Sequence, residues 1–471
     1  MTMKRISRRQ FLRTGLGAGA GLLAASSGIA LAQDAATATP APTATLVPFP
    51  AGGAGKFTVI QKTEYFSAVQ DFVHDAIVDF ADSKGVELDL STANPELFGD
   101  FLGKMLAAVQ AGSPPDLGYH ALSVPQMYAL DIVEDVSDVV EELISRYGAV
   151  VPANATFNAN IDGKWWAVPF TSLSGAWFAR RDLFEAHGID MNTLDTWDQR
   201  REAALAVSDP ANNVWGWGLT INRSGDGHGV IMGVIQAFGG SFTDETGLKV
   251  TFNSPETLAG VKWLEETYTS DTYAPMRPPG IESWTDSSNN EAYLAGTVAF
   301  TSNQPTVYGA AKRDGNPVFE NTTVLHPPKT NDGRQLEAGQ STWLTIFKGA
   351  ANIDLAKELI FALCDPANIT PMGQLGGGQV FPAYESMWTD DIIEVDPNFQ
   401  VFRDIMFNPE IYYGRSHPAL PNALIDSIEA QGITSQMMAN VTTGAMTAEE
   451  AVADAHAKIV QIFEEGGVPQ S

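Results

Sequence analysis

The stretch 162–184 constrains the fold more than any other part of the chain. An Asp-Gly turn leads into an apolar, strand-like run at 164–170. A polar break follows at 171–175, and a second aromatic-rich run at 176–179 then meets a charged helix start. Two such strands joined by a small polar loop suit a chain that crosses between two lobes. We therefore expect the aromatic side chains of this stretch, Trp177 among them, to lie beside a cleft.

The same stretch resembles the crossover of bacterial extracellular solute-binding proteins of the maltose-binding type. In that pattern an Asp-Gly-Lys turn and a Val-Pro-Phe run precede an aromatic strand and an Asp-Leu-Phe helix start, as they do here. Five further segments resemble motifs of this family in order and spacing: 112–116, 196–199, 237–264, 290–303 and 338–346. A sixth, 376–383, follows them and resembles another motif of the family. The resemblance covers roughly residues 56–465 and implies the substrate-capturing subunit of an ABC sugar importer.

Residues 56–118 alternate between strand and helix patterns. Strand-like runs at 56–61 and 86–90 flank a helical pattern at 66–84, and a second helical pattern at 95–111 precedes another strand. This alternation predicts a parallel, doubly wound sheet, whose ligands lie beyond the carboxyl ends of the strands. The loops at 63–66 and 118–120 are the corresponding positions, and ordinary loop packing is the alternative interpretation of their side chains.

The fold class that follows is α/β with two lobes, the periplasmic-binding-protein fold. Each lobe is expected to hold a mostly parallel sheet flanked by helices. The resemblance implies discontinuous lobes joined by crossover strands, with 56–170 and 299–341 in the N-terminal lobe and 171–298 and 342–471 in the C-terminal lobe.

The amino terminus has the pattern of an export signal. Arg8 and Arg9 precede Phe-Leu and an uncharged Gly/Ala-rich run at 15–32, which ends in an Ala-Leu-Ala cleavage pattern. This resembles a twin-arginine signal peptide over 1–32, and a membrane helix is the alternative. An Ala/Thr/Pro/Gly-rich flexible linker is expected over 33–55.

We therefore expect an exported protein, periplasmic or at the cell surface. No cysteine lies near the predicted cleavage site, so a lipoprotein anchor is not expected. Whether the signal is cleaved or retained stays open. The expected partners are the twin-arginine export machinery, an ABC transporter membrane permease and a small-molecule ligand, a mono- or oligosaccharide.

Charge and cysteine content exclude several classes of protein. The 471 residues carry a formal net charge of −28, and removing the five basic residues of 1–32 leaves 23 basic against 56 acidic residues, or −33. Such a surface repels nucleic-acid phosphates. The single cysteine, Cys364, excludes an intramolecular disulfide and a cysteine zinc site, and its helical spacing predicts a buried thiol.

A sugar site needs aromatic platforms for the ring faces and planar polar groups for the hydroxyl rim. Any one tryptophan is still more often core than platform, and Trp197 and Trp263 are expected in the core. The candidate ligand-binding residues lie in the predicted loops and crossovers: Glu64, Tyr65, His120, Trp177, Arg223, Trp284, Asn303, Gln304, Trp343, Tyr413 and Arg415.

Catalytic and cofactor signatures are absent from the sequence. It holds no G-x-S-x-G, H-E-x-x-H or G-x-x-x-x-G-K-[ST] pattern, so we expect a non-enzymatic binding protein without cofactor or resident metal. A secreted carbohydrate-active hydrolase stays an alternative because no pattern excludes a carboxylate pair. A ferric-iron or other small-ligand binder on the same fold is a third reading. The stretch 225–229 suggests a cation loop or, better, a flexible turn.

Overall fold

The computed structural model describes residues 55–93, 98–337, 339–410 and 412–470. The predicted signal peptide and nearly all of the predicted linker lie outside these residues, as does the predicted start of the helix at 95.

Twelve strands are present in the described residues, and two sheets hold ten of them. The strands are β1 (Phe57–Lys62), β2 (Leu88–Ala93), β3 (Leu117–His120), β4 (Asn160–Ile161), β5 (Lys164–Trp165), β6 (Val168–Leu173), β7 (Ala176–Arg180), β8 (Trp215–Trp217), β9 (Val298–Asn303), β10 (Thr322–Leu325), β11 (Gln340–Ile346) and β12 (Phe381–Pro382).

The α-helices of the first half are α1 (Ser67–Lys84), α2 (Phe98–Gln110), α3 (Val124–Ala129), α4 (Ser137–Tyr147), α5 (Ala153–Ala159), α6 (Arg181–Ala186), α7 (Trp197–Ala206) and α8 (Gly225–Ala237). Those of the second half are α9 (Pro255–Thr269), α10 (Ser288–Leu294), α11 (Thr306–Arg313), α12 (Ile353–Leu363), α13 (Pro366–Leu375), α14 (Asp391–Val395), α15 (Phe399–Met406), α16 (Ala423–Ala430), α17 (Ile433–Thr442) and α18 (Ala448–Glu465).

The N-terminal lobe is built on a six-stranded sheet of order β12-β6-β11-β3-β1-β2. Strand β1 pairs in parallel with β2 and β3, while β11 runs antiparallel to β3 and β6. Helix α1 covers one face because Val69, Val73 and Ile77 recur along one side and are buried. The helix ends at Gly85, whose φ of 65° is the left-handed conformation that glycine adopts readily.

The C-terminal lobe is built on a four-stranded sheet of order β10-β7-β9-β8. Successive side chains of β7 face two different cores. Trp177 faces the large core under α7, α8 and α9, and Phe178 faces a smaller core with Tyr308 and Phe402. Trp177 and Trp197 stack edge to face in the large core, their ring centroids 5.3 Å apart. The core positions predicted for Trp197 and Trp263 are confirmed.

Local cap chemistry fixes the helix starts of this lobe. Thr196 and Gln199 form a reciprocal capping box at α7, and Thr447 and Glu450 form another at α18. Ser254 accepts from the Thr257 amide at the start of α9, with proline at the first helical position. These starts lie where the sequence predicts them.

The two-lobe α/β architecture is confirmed, but two details of the prediction are wrong. The sheets are mixed rather than mostly parallel, since β7 runs antiparallel to both β9 and β10. The predicted lobe assignment is also wrong for most of the chain from β9 to α13, whereas α16, α17 and α18 lie in the C-terminal core as predicted. Strands β9 and β10 belong to the C-terminal sheet, whereas β11 belongs to the N-terminal sheet and α12 and α13 pack on α1.

The first crossing is tighter than predicted. Strand β6 continues through Thr171 and Ser172 to Leu173, because β11 and β12 pair with it on both sides. Only Ser174 and Gly175 then connect β6 to β7. A Cβ at Gly175 would lie 3.4 Å from the Asn303 carbonyl oxygen, so β9 closely approaches this turn.

Cys364 is buried as predicted, beside Leu363 in the N-terminal core. Within the described part of the chain, none of the helices combines the length and the apolar character that crossing a bilayer requires.

Replacing Gly216 by alanine should destabilise the C-terminal lobe. The added Cβ would lie 1.8 Å from the Ala204 carbonyl oxygen, which forces β8 away from α7. We expect a loss of about 3 kcal/mol and a melting temperature at least about 5 °C lower, measured by calorimetry. The matched control is Gly229→Ala, whose Cβ would have no heavy atom within 4 Å. Equal melting temperatures for the two variants would contradict this account of the close approach.

Candidate functional site

A cavity of about 420 Å³ lies between the two lobes, and we call it the cleft cavity. The N-terminal lobe contributes α5 and the start of β11 to its wall. The C-terminal lobe contributes the first turns of α8, the end of β9, the loop 412–416 and part of α16. Both sides of the crossover at 175–177 and 302–304 therefore face the same space.

Three predicted residues of the crossovers line this cavity. Trp177 is only 2% exposed because it packs among Trp197, Trp217 and Phe300. Asn303 donates to the Asn290 side-chain oxygen, while the side-chain oxygen of Gln304 is buried and has no hydrogen-bond partner among the described residues. Trp177 is thus mainly a core residue of the cavity wall, and the two amides supply polar groups there.

The start of α8 forms one end of the cavity. Ser224 caps the helix by accepting from the Gly227 amide at 3.0 Å. The Asp286 carboxylate accepts from the amides of Gly225 and Asp226 at 3.1 and 2.9 Å. A Cβ at Gly227 would lie 2.1 Å from the Asn222 carbonyl oxygen, so only glycine fits. The flexible turn predicted for 225–229 is wrong, because these residues are the first turn of a capped helix.

Asp226 extends its carboxylate from this turn into the cavity wall. Its Oδ2 accepts from the Asn289 amide at 2.8 Å. Burial, together with the nearby charge of Asp286, raises the pKa of Asp226 to about 7, although the Asn289 hydrogen bond and Arg415 act in the opposite direction. The ionised form of this carboxylate is therefore unfavourable in the folded protein.

Arg415, a predicted ligand residue, is paired within the cavity wall. Its guanidinium forms an ion pair with Glu429 of α16 and donates to the Gly225 carbonyl oxygen at 3.1 Å. Burial alone would raise the pKa of Glu429, but the charge of Arg415 holds that pKa below its ordinary value. The pair ties α16 to the start of α8.

Asp426 joins the two lobes across the cavity. The Ser123 hydroxyl, at the start of α3 in the N-terminal lobe, donates to Oδ2 of Asp426 in α16. Ser123 also caps α3 by accepting from the Gln126 amide at 3.1 Å. Burial and the charge of Glu429 raise the pKa of Asp426 to about 7, which the Ser123 hydrogen bond partly offsets.

A second contact between the lobes involves Tyr413. Its ring stacks edge to face on Phe157 of α5, with the ring centroids 5.0 Å apart. The neighbouring Tyr412 donates to the Gln236 side-chain oxygen at 2.6 Å, and the Gln236 amide donates to the Gly414 carbonyl at 3.2 Å. Helix α8 thereby fixes the loop that carries both tyrosines.

Four predicted residues of the N-terminal lobe lie outside the cavity lining. Glu64 is buried and accepts from the Tyr119 hydroxyl, while Tyr65 is 48% exposed and packs on Phe66. His120 bonds Thr345 Oγ1 at 2.8 Å inside the sheet, where burial lowers its pKa to about 3. Trp343 is in the N-terminal core. These positions argue against the predicted ligand contacts.

Two predicted residues of the C-terminal lobe also lie elsewhere. The Arg223 guanidinium donates to the Ala430 carbonyl oxygen at the end of α16, at 3.0 Å. Trp284 packs against the cores of its lobe, and its carbonyl accepts from Thr220 and Asn222. Both residues support the segments that form the cavity without lining it.

Sequence analysis missed several residues of the cavity wall, namely Asp226, Gln236, Tyr412, Asp426 and Glu429. Only one signal was available for them: Ser224 and Asp226 have the spacing of a helix start. Gln236, Asp426 and Glu429 lie on helices whose polar side chains look like a solvated face until the partner lobe is in place, and Tyr412 lies in the loop 412–416.

Fold and cavity together define a two-lobe α/β protein with a cavity between its lobes. A profile of the family described as bacterial extracellular solute-binding protein matches residues 75–401. The chain therefore belongs to the bacterial extracellular solute-binding protein family.

Individual relatives are distant. An arabinooligosaccharide-binding protein of Halalkalibacterium halodurans is 23% identical over 349 residues, which covers 70% of this chain and 73% of that protein. A tagatose-bound solute-binding protein of Thermotoga lettingae superposes with a TM-score of 0.72 at 18% identity, covering 87% of this chain and all of the other. A maltose-bound protein of T. maritima gives 0.70 at 18% identity, covering 86% and 98%.

The raised pKa of Asp426 makes stability depend on pH in a defined direction. A carboxyl group with a pKa of about 7 in the folded protein, against roughly 4 in the unfolded chain, stabilises the fold most at low pH. That contribution is lost as the pH rises through 7. Asp426→Asn should therefore melt a few degrees above wild type at pH 8, with a smaller difference at pH 5.

The matched control is Asp390→Asn, since the Asp390 side chain is 87% exposed and should leave the melting temperature at the wild-type value at both pH values. If Asp426→Asn and the wild type had the same melting temperature at pH 8, the ionised Asp426 carboxylate would not destabilise the fold.

Proposed function

We propose that this protein captures a carbohydrate in the cleft cavity and delivers it, unaltered, to the membrane permease of an ABC transporter. The observation that supports this most directly is the cavity of mixed polar and apolar lining that both lobes form. Relatives named for arabinooligosaccharide and maltotriose binding, and tagatose- and maltose-bound structures of the same fold, support the ligand class.

The cavity wall has the chemistry that such a ligand requires. Side-chain amides of Asn303 and Gln304, the Tyr413 hydroxyl and the Arg415 guanidinium are planar or adaptable polar groups beside the ring of Trp177. Sugars combine an apolar ring face with a hydroxyl rim, so this mixture suits them.

Closure of the lobes provides the signal of occupancy. The bonds from Ser123 to Asp426 and from Phe157 to Tyr413 join opposite lobes, so they exist only when the cleft is closed. A ligand that contacts both walls favours that state, and the closed shape is what a permease can recognise. The protein itself needs no nucleotide for this step.

Export by the twin-arginine route is part of the proposal. Its support is the paired Arg8 and Arg9 before an uncharged run that ends in Ala-Leu-Ala. The membership in an extracellular family is consistent with an exported protein, which we place in the periplasm or at the cell surface.

Thermal unfolding against a panel of sugars and polyols tests the proposed ligand class. A ligand at a hundred times its dissociation constant adds about 2.7 kcal/mol to the free energy of unfolding, a shift of several degrees. We expect such a shift with at least one sugar and no product by chromatography after prolonged incubation. Turnover of the ligand would favour the hydrolase reading, and a shift with ferric iron alone would favour the metal reading.

Gln304→Ala should weaken binding of that sugar about tenfold, because it removes a polar group of the cavity wall. Gln461→Ala is the control, since Gln461 lies on the exposed face of α18 and bonds only to Glu465. If the two variants bound the sugar with equal affinity, the sugar would not bind at Gln304 in the cleft cavity.

Replacing Arg8 and Arg9 together by lysine should abolish export of the chain, measured by cell fractionation. Twin-arginine recognition depends on the paired guanidinium groups, for which lysine is a poor substitute. Arg5→Lys is the control and should be exported normally. Unchanged export of the double variant would overturn the proposed route.

A further inference from the structure

The inner wall of the cleft cavity carries more negative charge than its own cations balance. Asp226, Asp426 and Glu429 all line it, and among the described lining residues Arg415 is the only lysine or arginine. Arg415 is already paired with Glu429 and bound to the Gly225 carbonyl. The carboxylates of Asp226 and Asp426 are left without a cation of their own.

The donors that reach these two carboxylates are neutral. Asp226 accepts from the Asn289 amide at 2.8 Å, and Asp426 accepts from the Ser123 hydroxyl. Neighbouring charges of the same sign oppose both ionised forms, Asp286 beside Asp226 and Glu429 beside Asp426. The charge of Arg415 favours both ionised forms but does not outweigh burial. Burying a charge without a counter-charge is costly, so a ligand that supplies one gains free energy.

His228 supplies no second cation. It is 4% exposed, and its Nδ1 lies 2.8 Å from Thr434 Oγ1. Its Nε2 points toward the cluster, 4.0 Å from Glu429, and has no hydrogen-bond partner among the described residues. Burial, with Arg415 acting in the same direction, lowers the pKa of His228 to about 4 despite the charge of Glu429, so the imidazole is neutral at physiological pH.

The other acidic residue of the wall is already balanced. Glu337 lies 2.9 Å from His326 Nδ1, and this hydrogen bond raises the pKa of His326. The uncompensated charge is therefore confined to the end of the cavity formed by α8 and α16. That end is where a cationic group of a ligand would be held.

We propose that the captured solute is an amino sugar whose protonated amine lies at the acidic end of the cleft cavity, which Asp226, Asp426 and Glu429 line. This rests on the proposed function and specifies its ligand class. An ammonium group has three donors and a full charge, so it can form charge-assisted bonds to a carboxylate, and such bonds are about twice as strong as neutral ones. The rest of the sugar then occupies the wall at Gln304.

An inorganic cation fits the same wall less well. In the described part of the chain, no group of three or more His, Cys, Asp and Glu side chains is placed to hold a metal ion. A neutral sugar can bond the carboxylates through hydroxyls, but it leaves their charge in place. Closure on a neutral sugar should therefore take up protons, and closure on an ammonium, which supplies the counter-charge, should take up fewer.

Isothermal titration of the full chain at pH 6.5 with matched pairs tests the proposal. The probes are glucosamine, galactosamine, mannosamine and the fully deacetylated chitosan disaccharide, each beside its hydroxyl parent and its N-acetyl form. At least one amine should bind about tenfold more tightly than both neutral partners. Repeating the titration in buffers of different ionisation enthalpy should show less proton uptake for the amine than for its neutral partners.

Asp426→Asn and Asp226→Asn should each bring the ratio of amine to neutral affinity close to one. Asp390→Asn is the charge-matched control and should keep the preference. Melting temperatures of the variants report whether each is folded. The comparison of ligands on the wild-type protein tests the proposal even if a variant fails to fold.

Neutral parents that bind as tightly as the amines would overturn this inference and leave the proposed function standing. Failure of every sugar, here and in the neutral panel, would overturn both.

Discussion

Strand pairing at the crossings between the lobes is the constraint on which the rest of the structure depends. Leu173 at the end of β6 pairs with Gln340 of β11, and three residues later Ala176 pairs with Asn303 of β9. At this crossing only Ser174 and Gly175 connect β6 of the N-terminal sheet to β7 of the C-terminal sheet. The two sheets lie close together there, and the residues just after β9 and just before β11, Gln304 and Gly339, line the space between them.

This arrangement explains why the cavity is built from segments distant in sequence. Helix α8 and helix α16 are about two hundred residues apart, yet Arg415, Gly225 and Glu429 hold them together at one end of the cleft. The N-terminal lobe reaches the same end through Ser123. Residues of both lobes are therefore needed to complete this end of the cavity.

Local chemistry explains how much could be predicted from the sequence. Caps such as Thr196 with Gln199, and the apolar repeat of α1, act within a few residues, so the helices they specify were predictable. Lobe membership of β9 and β11 depends on long-range pairing, which leaves no local trace. Trp343 and His120 are residue types that sugar sites use, but their long-range strand pairing places them inside a sheet.

Three of the missed residues, Asp226, Asp426 and Glu429, are carboxylates, which the usual rule for buried groups places in solvent when each is viewed alone. Asp426 lies half-buried on an otherwise apolar helix face, where the Ser123 hydroxyl of the other lobe reaches it. Carboxylates kept at a position where they are costly to ionise mark a site where function overrides stability, and the amine of the proposed ligand would relieve that cost.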